Sequence, residues 1–576
     1  MKKLMSGNEA VARGAYEGGA GFATSYPGTP ATEILEFCAQ YPTIHSEWAV
    51  NEKTALEAAV GAALGGLRSI VSMKHVGLNA AADPFMTLPY IGVNAGLVIV
   101  SADDPEVFSS QNEQDNRRFA PLAKVPMLEP SDSQEAKDFT LAAFALSEEF
   151  DTPVLIRLTT RICHTRTTVH TDRPRPVRKR KFINDPPKRV MLPSNARVRH
   201  KILIEKIKQL RSYNETSAFN TMIWNDKKLG IITSGIAYQH ARGAFPDASF
   251  LKLGMTFPLP EKLIRRFAAK VKKIIVIEEL EPFLEEQIRA LGIKVTGKDK
   301  LPRCGELNTD TIKDRLKATR RKKTGAQMRL PSRPPILCAG CPHRAFFHLI
   351  KGMNLTVFGD IGCYTLGFYP PLNLMDFDIC MGAGVGASHG YEASGAAAER
   401  RAIAVIGDST FTHSGITALL NHAYNQSTGT VVILDNHTTA MTGGQMHPGT
   451  GITLGGEKTR KLNYERLAHS MGIKRVFTIN PYDQRASRKI IAREVTTSEL
   501  SLIISSAPCP LFYRIKKPHS VIISSRCEMC GVCLKIGCPA ISKENDDILI
   551  DPDQCRGCGL CIHKCSFGAI ETSPAQ

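Results

Sequence analysis

Eight of the sixteen cysteines lie close together between residues 527 and 565. They form two runs, which are Cys527, Cys530, Cys533 and Cys538, followed by Cys555, Cys558, Cys561 and Cys565. Within each run, two-residue gaps separate the first three cysteines, which places three thiolates on one tight loop. Three thiolates on one loop suit the ligation of an iron–sulfur cube. The pattern predicts two [4Fe–4S] clusters that carry electrons one at a time.

The two runs are expected to exchange their last cysteines, because the fourth thiolate of each run ligates the other cluster in paired clusters of this kind. The expected ligands are Cys527, Cys530, Cys533 and Cys565 for cluster 1, and Cys555, Cys558, Cys561 and Cys538 for cluster 2. Gly531, Gly557 and Gly559 are expected to turn backbone amides toward the sulfurs. A pair of structural zinc sites is the alternative, and the duplicated four-cysteine run argues against it.

Polar residues also follow two apolar strands in the second half of the chain. The strand at 402–406 leads into Gly407-Asp408-Ser409, and the strand at 431–434 leads into Asp435-Asn436. Mg²⁺ prefers oxygen ligands shared between a few protein groups and bound phosphates. The pattern resembles the thiamine diphosphate signature, with Ser409 and Asp435 as departures from it. The resemblance implies that Asp408, Asn436 and the main-chain carbonyl of Thr438 bind Mg²⁺, and it places Ser409 at the cofactor.

Three further loops are expected around this cofactor. The glycine run at 382–386 allows a helix N-terminus to approach phosphate closely, with Gly382 and Gly384 as the predicted contacts. Tight helix packing is the competing interpretation of these glycines. Asp360 and Thr442 lie in loops at two other predicted strand ends.

The N-terminal region resembles the other half of a thiamine site, which holds the aminopyrimidine ring. This resemblance implies that Glu52 is the activating glutamate, since it precedes a helix rich in alanine and glycine. Glu47 and Glu57 are competitors, and a helix N-terminal acid stabilised by the dipole is the plain alternative. The resemblance also places Thr29 near the substrate and cofactor. Lys74 and His75 follow a strand at 69–73 and are further candidates.

The sequence predicts that the elements which position these residues form an α/β fold. Short apolar strands are predicted at 96–100, 153–158, 229–233, 273–277, 401–406 and 430–434, and helical stretches alternate with them. This alternation is typical of parallel sheets. Ligands bind such sheets at the carboxyl ends of the strands, where the candidate residues lie.

Both thiamine half-sites followed by two clusters resemble the 2-oxoacid:ferredoxin oxidoreductase family, and most closely the α subunits that act on indolepyruvate. Segments that carry the resemblance are 26–30, 338–344, 408–415, 438–443 and the C-terminal cysteine runs. It implies oxidative decarboxylation of aryl pyruvates with coenzyme A, giving aryl-acetyl-CoA, carbon dioxide and reduced ferredoxin. It also implies thiamine diphosphate, Mg²⁺ and a smaller β subunit. Cys338 and Cys341 alone are too few for a metal site.

The resemblance divides the chain into five parts. A thiamine pyrimidine-binding domain is expected at 1–165, a basic linker or insert at 166–225 and a transketolase C-terminal-like domain at 226–320. A thiamine diphosphate- and Mg-binding domain follows at 330–515, and an α+β ferredoxin-like domain with two [4Fe–4S] clusters at 518–576.

Composition agrees with a water-soluble, cytoplasmic protein of several domains. The chain has 576 residues and a formal net charge of +18, much of it between 173 and 211. That basic stretch contains prolines and is accompanied by no nucleic-acid motif, so we expect a solvated linker and no nucleic-acid partner. No window is apolar enough for a membrane span, and the N-terminus does not resemble a signal peptide.

Three other functions remain open from the sequence. Pyruvate or 2-oxoglutarate could replace the aryl substrate within the same family. A non-oxidative thiamine decarboxylase would need no clusters, so the cysteine runs argue against it. A non-catalytic electron-transfer subunit would not need Glu52, Asp408 and Asn436, all of which are present.

Overall fold

The computed structural model describes residues 1–174, 177–316 and 334–573. It divides into two compact units, Met1–Ala326 and Gln327–Gln576. Parts of two predictions lie outside the described residues: positions 175 and 176 of the basic stretch, and the domain boundaries predicted near 320 and 330. The other predicted domain boundaries remain predictions. Among the described residues, no helix is both long and apolar enough to cross a membrane.

The first unit contains thirteen strands and fourteen α-helices among its described residues. The strands are β1 (Lys2–Ser6), β2 (Phe22–Ser25), β3 (His45–Trp48), β4 (Ser69–Lys74), β5 (Leu97–Asp103), β6 (Met127–Leu128), β7 (Val154–Thr159), β8 (Arg166–His170), β9 (Thr221–Ile223), β10 (Asp226–Ser234), β11 (Ala248–Leu253), β12 (Met255–Phe257) and β13 (Lys273–Ile277). The helices are α1 (Gly7–Glu17), α2 (Thr32–Cys38), α3 (Glu52–Leu64), α4 (His75–Ala80), α5 (Ala82–Ile91), α6 (Phe119–Ala123), α7 (Ser133–Glu149), α8 (Thr160–His164), α9 (Pro186–Arg189), α10 (Pro193–Asn214), α11 (Gly235–Ala244), α12 (Glu261–Ala268), α13 (Phe283–Ala290) and α14 (Thr309–Leu316).

Two main sheets organise this unit. The larger has the order β12-β6-β7-β5-β4-β2-β3. Its strands are parallel except for β12, which pairs antiparallel with β6. The smaller has the order β13-β10-β11-β9, with β9 antiparallel. Strands β2, β3 and β4 are neighbours, so the loops that follow them emerge at one edge of the sheet.

The basic stretch differs from the expected linker. Its last part forms α10, a 22-residue helix. Leu203, Lys206, Leu210 and Asn214 of this helix are buried, and Arg199 donates a hydrogen bond to the carbonyl oxygen of Tyr90 at 2.6 Å. Buried positions spaced three, four and four residues apart form one helical face, which the surrounding charges obscured in the sequence.

The second unit contains nine strands and seven α-helices among its described residues. The strands are β14 (Thr356–Phe358), β15 (Ala402–Gly407), β16 (Thr430–Asp435), β17 (Arg475–Ile479), β18 (Ser501–Ser506), β19 (Ser520–Ile522), β20 (Ile541–Glu544), β21 (Asp547–Ile550) and β22 (Ile570–Thr572). The helices are α15 (Pro342–Ile350), α16 (Ala383–Ala393), α17 (Asp408–Thr410), α18 (Ile416–Tyr424), α19 (Tyr464–Ser470), α20 (Gln484–Glu494) and α21 (Leu560–Lys564).

A five-stranded parallel sheet of order β14-β15-β16-β18-β17 forms the centre of this unit. Its middle strands are buried on both faces. Ile403 and Val405 belong to one apolar cluster, while Ala404 and Ile406 belong to another. Burial on both faces explains the continuous apolar runs of these strands. The six strands predicted from the sequence coincide with β5, β7, β10, β13, β15 and β16, which confirms the parallel α/β fold.

Two antiparallel hairpin-like pairs, β19 with β22 and β20 with β21, carry the C-terminal cysteines between them. Their small core includes Cys533, Ile548, Leu560 and Ile570, and it also contains Ala345 of α15. The cysteine-rich region therefore packs against the first helix of its own unit.

Candidate functional site

The first part of the candidate site lies where β15 ends and α17 begins. Asp408 is 2% exposed, and its Oδ1 accepts a hydrogen bond from the backbone N–H of Ser409 at 2.9 Å. Its Oδ2 lies 3.2 Å from Nε2 of His447. Burial raises the pKa of Asp408 above its ordinary value, while His447 opposes that shift.

The neighbouring strand β16 ends beside it, because Gly407 and Leu434 are partners in the parallel ladder. Asn436 Nδ2 lies 3.1 Å from Nε2 of His343, and Asn436 Oδ1 accepts the backbone N–H of Thr438 at 3.1 Å. Burial lowers the pKa of His343 to about 4, so Nε2 of a neutral ring accepts the amide hydrogen. Thr438 is 1% exposed. A group of buried polar residues, rich in oxygen atoms, therefore follows two adjacent strands.

Ser409 connects these two strand ends. Its Oγ accepts a hydrogen bond from the Thr439 hydroxyl at 2.8 Å. His343 and His447 were not among the predicted site residues. His343 lies 93 residues from Asn436 and His447 lies 39 residues from Asp408, so neither contact could be predicted from local spacing.

The loop after β14 supports the site through Asp360. Its carboxylate accepts a hydrogen bond from the Tyr364 hydroxyl and from the backbone N–H of Gly382, the latter at 3.0 Å. Gly382 has φ +83°, and a Cβ there would lie 2.6 Å from Ser414 Oγ. A Cβ on Gly384 would lie 2.6 Å from the carbonyl oxygen of Gly359. Gly384 therefore allows close packing of α16, the competing interpretation, while Gly382 forms the turn held by Asp360.

The Thr442 hydroxyl is hydrogen-bonded to Gln445 Oε1 at 2.5 Å and to the carbonyl oxygen of Thr439, rather than to Asp408.

The other residues at the two strand ends have the chemistry that Mg²⁺ and a diphosphate need. Asp408 and Asp435 are close enough that their carboxyl groups influence each other's pKa. A cation would keep such buried carboxylates ionised, so the residues fit a magnesium diphosphate.

Glu52 is the first residue of α3, where it follows the N-cap Asn51. It is 5% exposed, whereas the side chains of Glu47 and Glu57 are 46% and 51% exposed. A Cβ on Gly77, in α4, would lie 2.5 Å from Glu52 Oε1. The absence of a side chain at Gly77 therefore provides the space that the Glu52 carboxylate occupies. Burial distinguishes Glu52 from its two competitors.

The other candidates of the first unit lie at neighbouring strand ends. Thr29 follows β2 and is half-buried. Lys74 ends β4, donates a hydrogen bond to the carbonyl oxygen of Ser109, and has a pKa that burial lowers to about 8. A Cβ on Gly28 would lie 3.0 Å from Cβ of Lys74, so the two loops are adjacent. His75 is fully buried against Asn112, as expected of a core histidine.

The eight C-terminal cysteines line two separate cavities. One is lined by Cys527, Cys530, Cys533 and Cys565, and the other by Cys538, Cys555, Cys558 and Cys561. This division matches the exchange of fourth cysteines expected from the sequence. Gly531, Gly557 and Gly559 all have positive φ angles, of +67°, +63° and +75°. Four thiols around each cavity fit a cube of iron and sulfur.

Backbone amides approach several of these sulfurs. Cys555 Sγ accepts from the N–H groups of Ser520 and Gly557, both at 3.4 Å. Cys565 Sγ accepts from Ala569 N–H at 3.3 Å. Such hydrogen bonds stabilise thiolate ligands and tune cluster potentials. Within the described ranges, no three His, Cys, Asp or Glu side chains meet the geometry for a single metal ion.

Two further cysteines lie in loops near the strand-end site and were not predicted. Cys363 follows Asp360 in the loop after β14, and burial raises its pKa to about 12. The backbone N–H of Cys509 donates a hydrogen bond to the carbonyl oxygen of Asn436 at 3.0 Å, so the loop after β18 lies beside the end of β16.

Comparison with protein families agrees with this geometry. Residues 13–218 match the thiamine diphosphate-binding family of pyruvate flavodoxin/ferredoxin oxidoreductases. Residues 360–505 match the C-terminal binding domain of thiamine pyrophosphate enzymes, and residues 548–571 match a 4Fe–4S binding domain. A solved 2-oxoglutarate:ferredoxin oxidoreductase from Magnetococcus marinus is also similar, with 19% identity, a TM-score of 0.47 and coverage of 55% of this chain and 65% of the other.

These domains and their order define a thiamine diphosphate-dependent 2-oxoacid:ferredoxin oxidoreductase, with thiamine diphosphate and iron–sulfur chemistry in one polypeptide. Two curated relatives, from Methanothermobacter thermautotrophicus and Pyrococcus horikoshii, are each 39% identical over 99% of this chain and 97% of their own length, and both are named indolepyruvate oxidoreductase subunit IorA. The chain belongs to this indolepyruvate oxidoreductase IorA family.

Proposed function

We propose that the protein oxidatively decarboxylates aryl pyruvates such as indolepyruvate, transferring the acyl group to coenzyme A and the electrons to ferredoxin. The 2-oxoacid anion and coenzyme A give an aryl-acetyl-CoA, carbon dioxide, one proton and two electrons, and the electrons go to ferredoxin. The names of the relatives support the substrate class. The observation that carries the proposal is the presence in one unit of buried Asp408 and Asn436 at adjacent strand ends and of two four-cysteine cavities.

We assign roles to the residues of the two units separately. Asp408, Asn436 and the carbonyl of Thr438 hold Mg²⁺ and the diphosphate, with Ser409 joining the two loops. Glu52 holds a proton at the aminopyrimidine ring of the cofactor. When bound, thiamine diphosphate supplies the electron sink that allows the carboxylate to leave as carbon dioxide.

The cysteine groups suggest the order of electron transfer. The cavity with Cys538 is also lined by Gly340, Cys341 and Arg344, and the neighbouring His343 contacts Asn436 of the strand-end site. The cavity with Cys530 is lined by Val532 and Phe567, which are 39% and 49% exposed. Electrons are therefore expected to pass from the strand-end site to cluster 2, and then to cluster 1 and ferredoxin.

A smaller β subunit and a cytoplasmic location complete the proposal. The relatives are named as a subunit, which supports a partner chain. We expect the partner to be needed for full turnover. We expect it to contribute no ligand to the two clusters held by the eight C-terminal cysteines.

Cluster bleaching tests the proposal directly. The chain would be purified anaerobically with its partner and given thiamine diphosphate, Mg²⁺ and coenzyme A. Indolepyruvate, phenylpyruvate, pyruvate and 2-oxoglutarate would then be added in separate cuvettes. We expect rapid bleaching by the two aromatic acids only. Bleaching by pyruvate or 2-oxoglutarate instead would overturn the substrate class, and no bleaching by any acid would overturn the reaction.

A further inference from the structure

Arg344 is a buried cation at the boundary between the thiamine-binding sheet and the cysteine-rich region. It lies in the first turn of α15, two residues after Pro342 and three after Cys341, and is 3% exposed. A long charged side chain is almost never buried to this degree unless it has a specific partner. The identity of that partner is therefore informative.

The guanidinium is bonded to carbonyl oxygens of two separate loops. It donates to the carbonyls of Leu337 and Cys338 on one side, and to those of Ile536 and Gly537 on the other. The first loop leads to Cys338 and Cys341, and the second leads to Cys538. One side chain thus fixes the separation between two groups of cysteines.

The charge of Arg344 has no carboxylate partner among the described residues. The groups that most favour its charged form are the thiols of Cys538, Cys341, Cys338 and Cys558, and burial alone lowers its pKa. Arg344 also lines the cavity with Cys538, Cys555, Cys558 and Cys561. Its Nε has no hydrogen-bond partner in the described part of the protein, which leaves one N–H for a sulfur.

A buried cation without a counter-charge is costly, and a cluster held by four thiolates is an anion whose negative charge grows when it is reduced. A nearby positive charge favours the reduced form, and charge and hydrogen bonding are the main ways in which proteins set cluster potentials. A cluster bound in this cavity would therefore supply the negative charge that the buried Arg344 guanidinium otherwise lacks.

We propose that Arg344 is a positioning residue for electron transfer, which holds the loops of Cys338 and Cys538 at a fixed separation and raises the reduction potential of cluster 2. This inference rests on the proposed function, because it requires a cluster at Cys538, Cys555, Cys558 and Cys561. One arginine would then set both the distance between the two cysteine loops and the driving force for electron transfer into cluster 2.

The test compares two substitutions at this position with an exposed control. Arg344→Gln removes the charge and Arg344→Lys keeps it. Arg493→Gln removes a charge from α20 whose side chain is 56% exposed. Each protein would be prepared anaerobically, analysed for iron and sulfide, and titrated with EPR detection of each reduced cluster.

We expect Arg344→Gln to lower one midpoint potential so that the ratio of reduced to oxidised cluster falls at least tenfold, which is ~59 mV for one electron. Arg344→Lys should change that ratio less than threefold, and Arg493→Gln should change none. An unchanged set of midpoints in iron-replete Arg344→Gln would overturn the inference. Equal shifts in the Lys and Gln variants would also overturn it, since the effect would then not follow the charge.

Two further measurements distinguish loss of a cluster from loss of the effect of Arg344. If Arg344→Gln is isolated with less iron, Arg344→Lys still tests the inference. A tenfold fall in the ratio of reduced to oxidised cluster in this variant, which retains the charge, would contradict the inference. If wild-type protein contains no cluster at Cys538, iron analysis shows that the proposed function itself has failed. Unchanged potentials in a protein that is active with 2-oxoacids would reject only the role of Arg344.

Discussion

Glu52 is the residue whose assignment depends most on burial. Its competitors are about half exposed, whereas Glu52 is 5% exposed. We predict that Glu52→Gln lowers turnover by about 10²-fold or more, because a group that moves a proton in catalysis typically contributes that much. Steady-state kinetics with indolepyruvate would measure the loss, and iron content should be unchanged. Glu57→Gln is the matched control, and near-normal turnover of Glu52→Gln would reject the assignment.

Gly77 gives a second prediction at the same scale. An added methyl would lie 2.5 Å from Glu52 Oε1, so the carboxylate must move. We expect Gly77→Ala to lower kcat by about 10- to 100-fold, since a displacement of about 1 Å in a catalytic group can cost that much. Gly61→Ala is the control, because nothing lies within 4 Å of its Cβ. Equal activity of the two variants would show that Glu52 tolerates the displacement.

Position can be predicted at the residue scale where a candidate follows a strand directly. Asp408 and Asn436 lie at the ends of β15 and β16, as the apolar runs with polar ends predict, and their role in binding Mg²⁺ stays a prediction. His343 and His447 contact these residues across 93 and 39 positions. Such pairings arise from loop geometry, which no spacing rule describes.

At the scale of elements, α15 carries a pH-sensitive contact. His348 Nε2 lies 3.3 Å from the carbonyl oxygen of Ile536, and burial lowers the pKa of His348 to about 4 from 6.5. Between these pH values the unfolded chain binds more protons than the folded one, so stability rises with pH and is lost on acidification.

We predict that this histidine reduces the free energy of unfolding by about 2 kcal/mol between pH 7 and pH 5. Urea denaturation under anaerobic conditions would measure the change at both pH values. His348→Gln should show a smaller dependence by that amount, because its amide does not titrate. His563→Gln, at an exposed position, should behave as wild type. An unchanged pH dependence in His348→Gln would contradict the prediction.

Elements differ in how easily they are predicted from the sequence. β15 and β16 are apolar on both faces, which marks them clearly. In α10 the buried face consists of Leu203, Lys206, Leu210 and Asn214. Two of these four side chains are polar, so the helix resembled a charged linker although it is packed.

At the scale of the whole molecule, the two four-cysteine cavities set the amount of iron that we expect the chain to hold. We predict about eight irons per chain, since each [4Fe–4S] cluster holds four. Cys530→Ser should lower this count, because Cys530 lines one of the cavities, whereas Cys380→Ser, at an exposed cysteine that lines neither, should not change it. Iron and sulfide analysis of reconstituted protein would give the count. About four irons in wild type would contradict the second cluster.

The arrangement of the cysteines around the two cavities also limits when the protein can mature. Cys565 lines a cavity with Cys527, Cys530 and Cys533, while Cys538 lines the other with three later cysteines. On the proposed ligation, cluster 2 lacks a ligand until Cys561 has been synthesised, and cluster 1 lacks one until Cys565 has been synthesised. The two clusters are therefore completed almost together, and proteolytic loss of the segment from Cys561 onward would remove one ligand from each cluster at once.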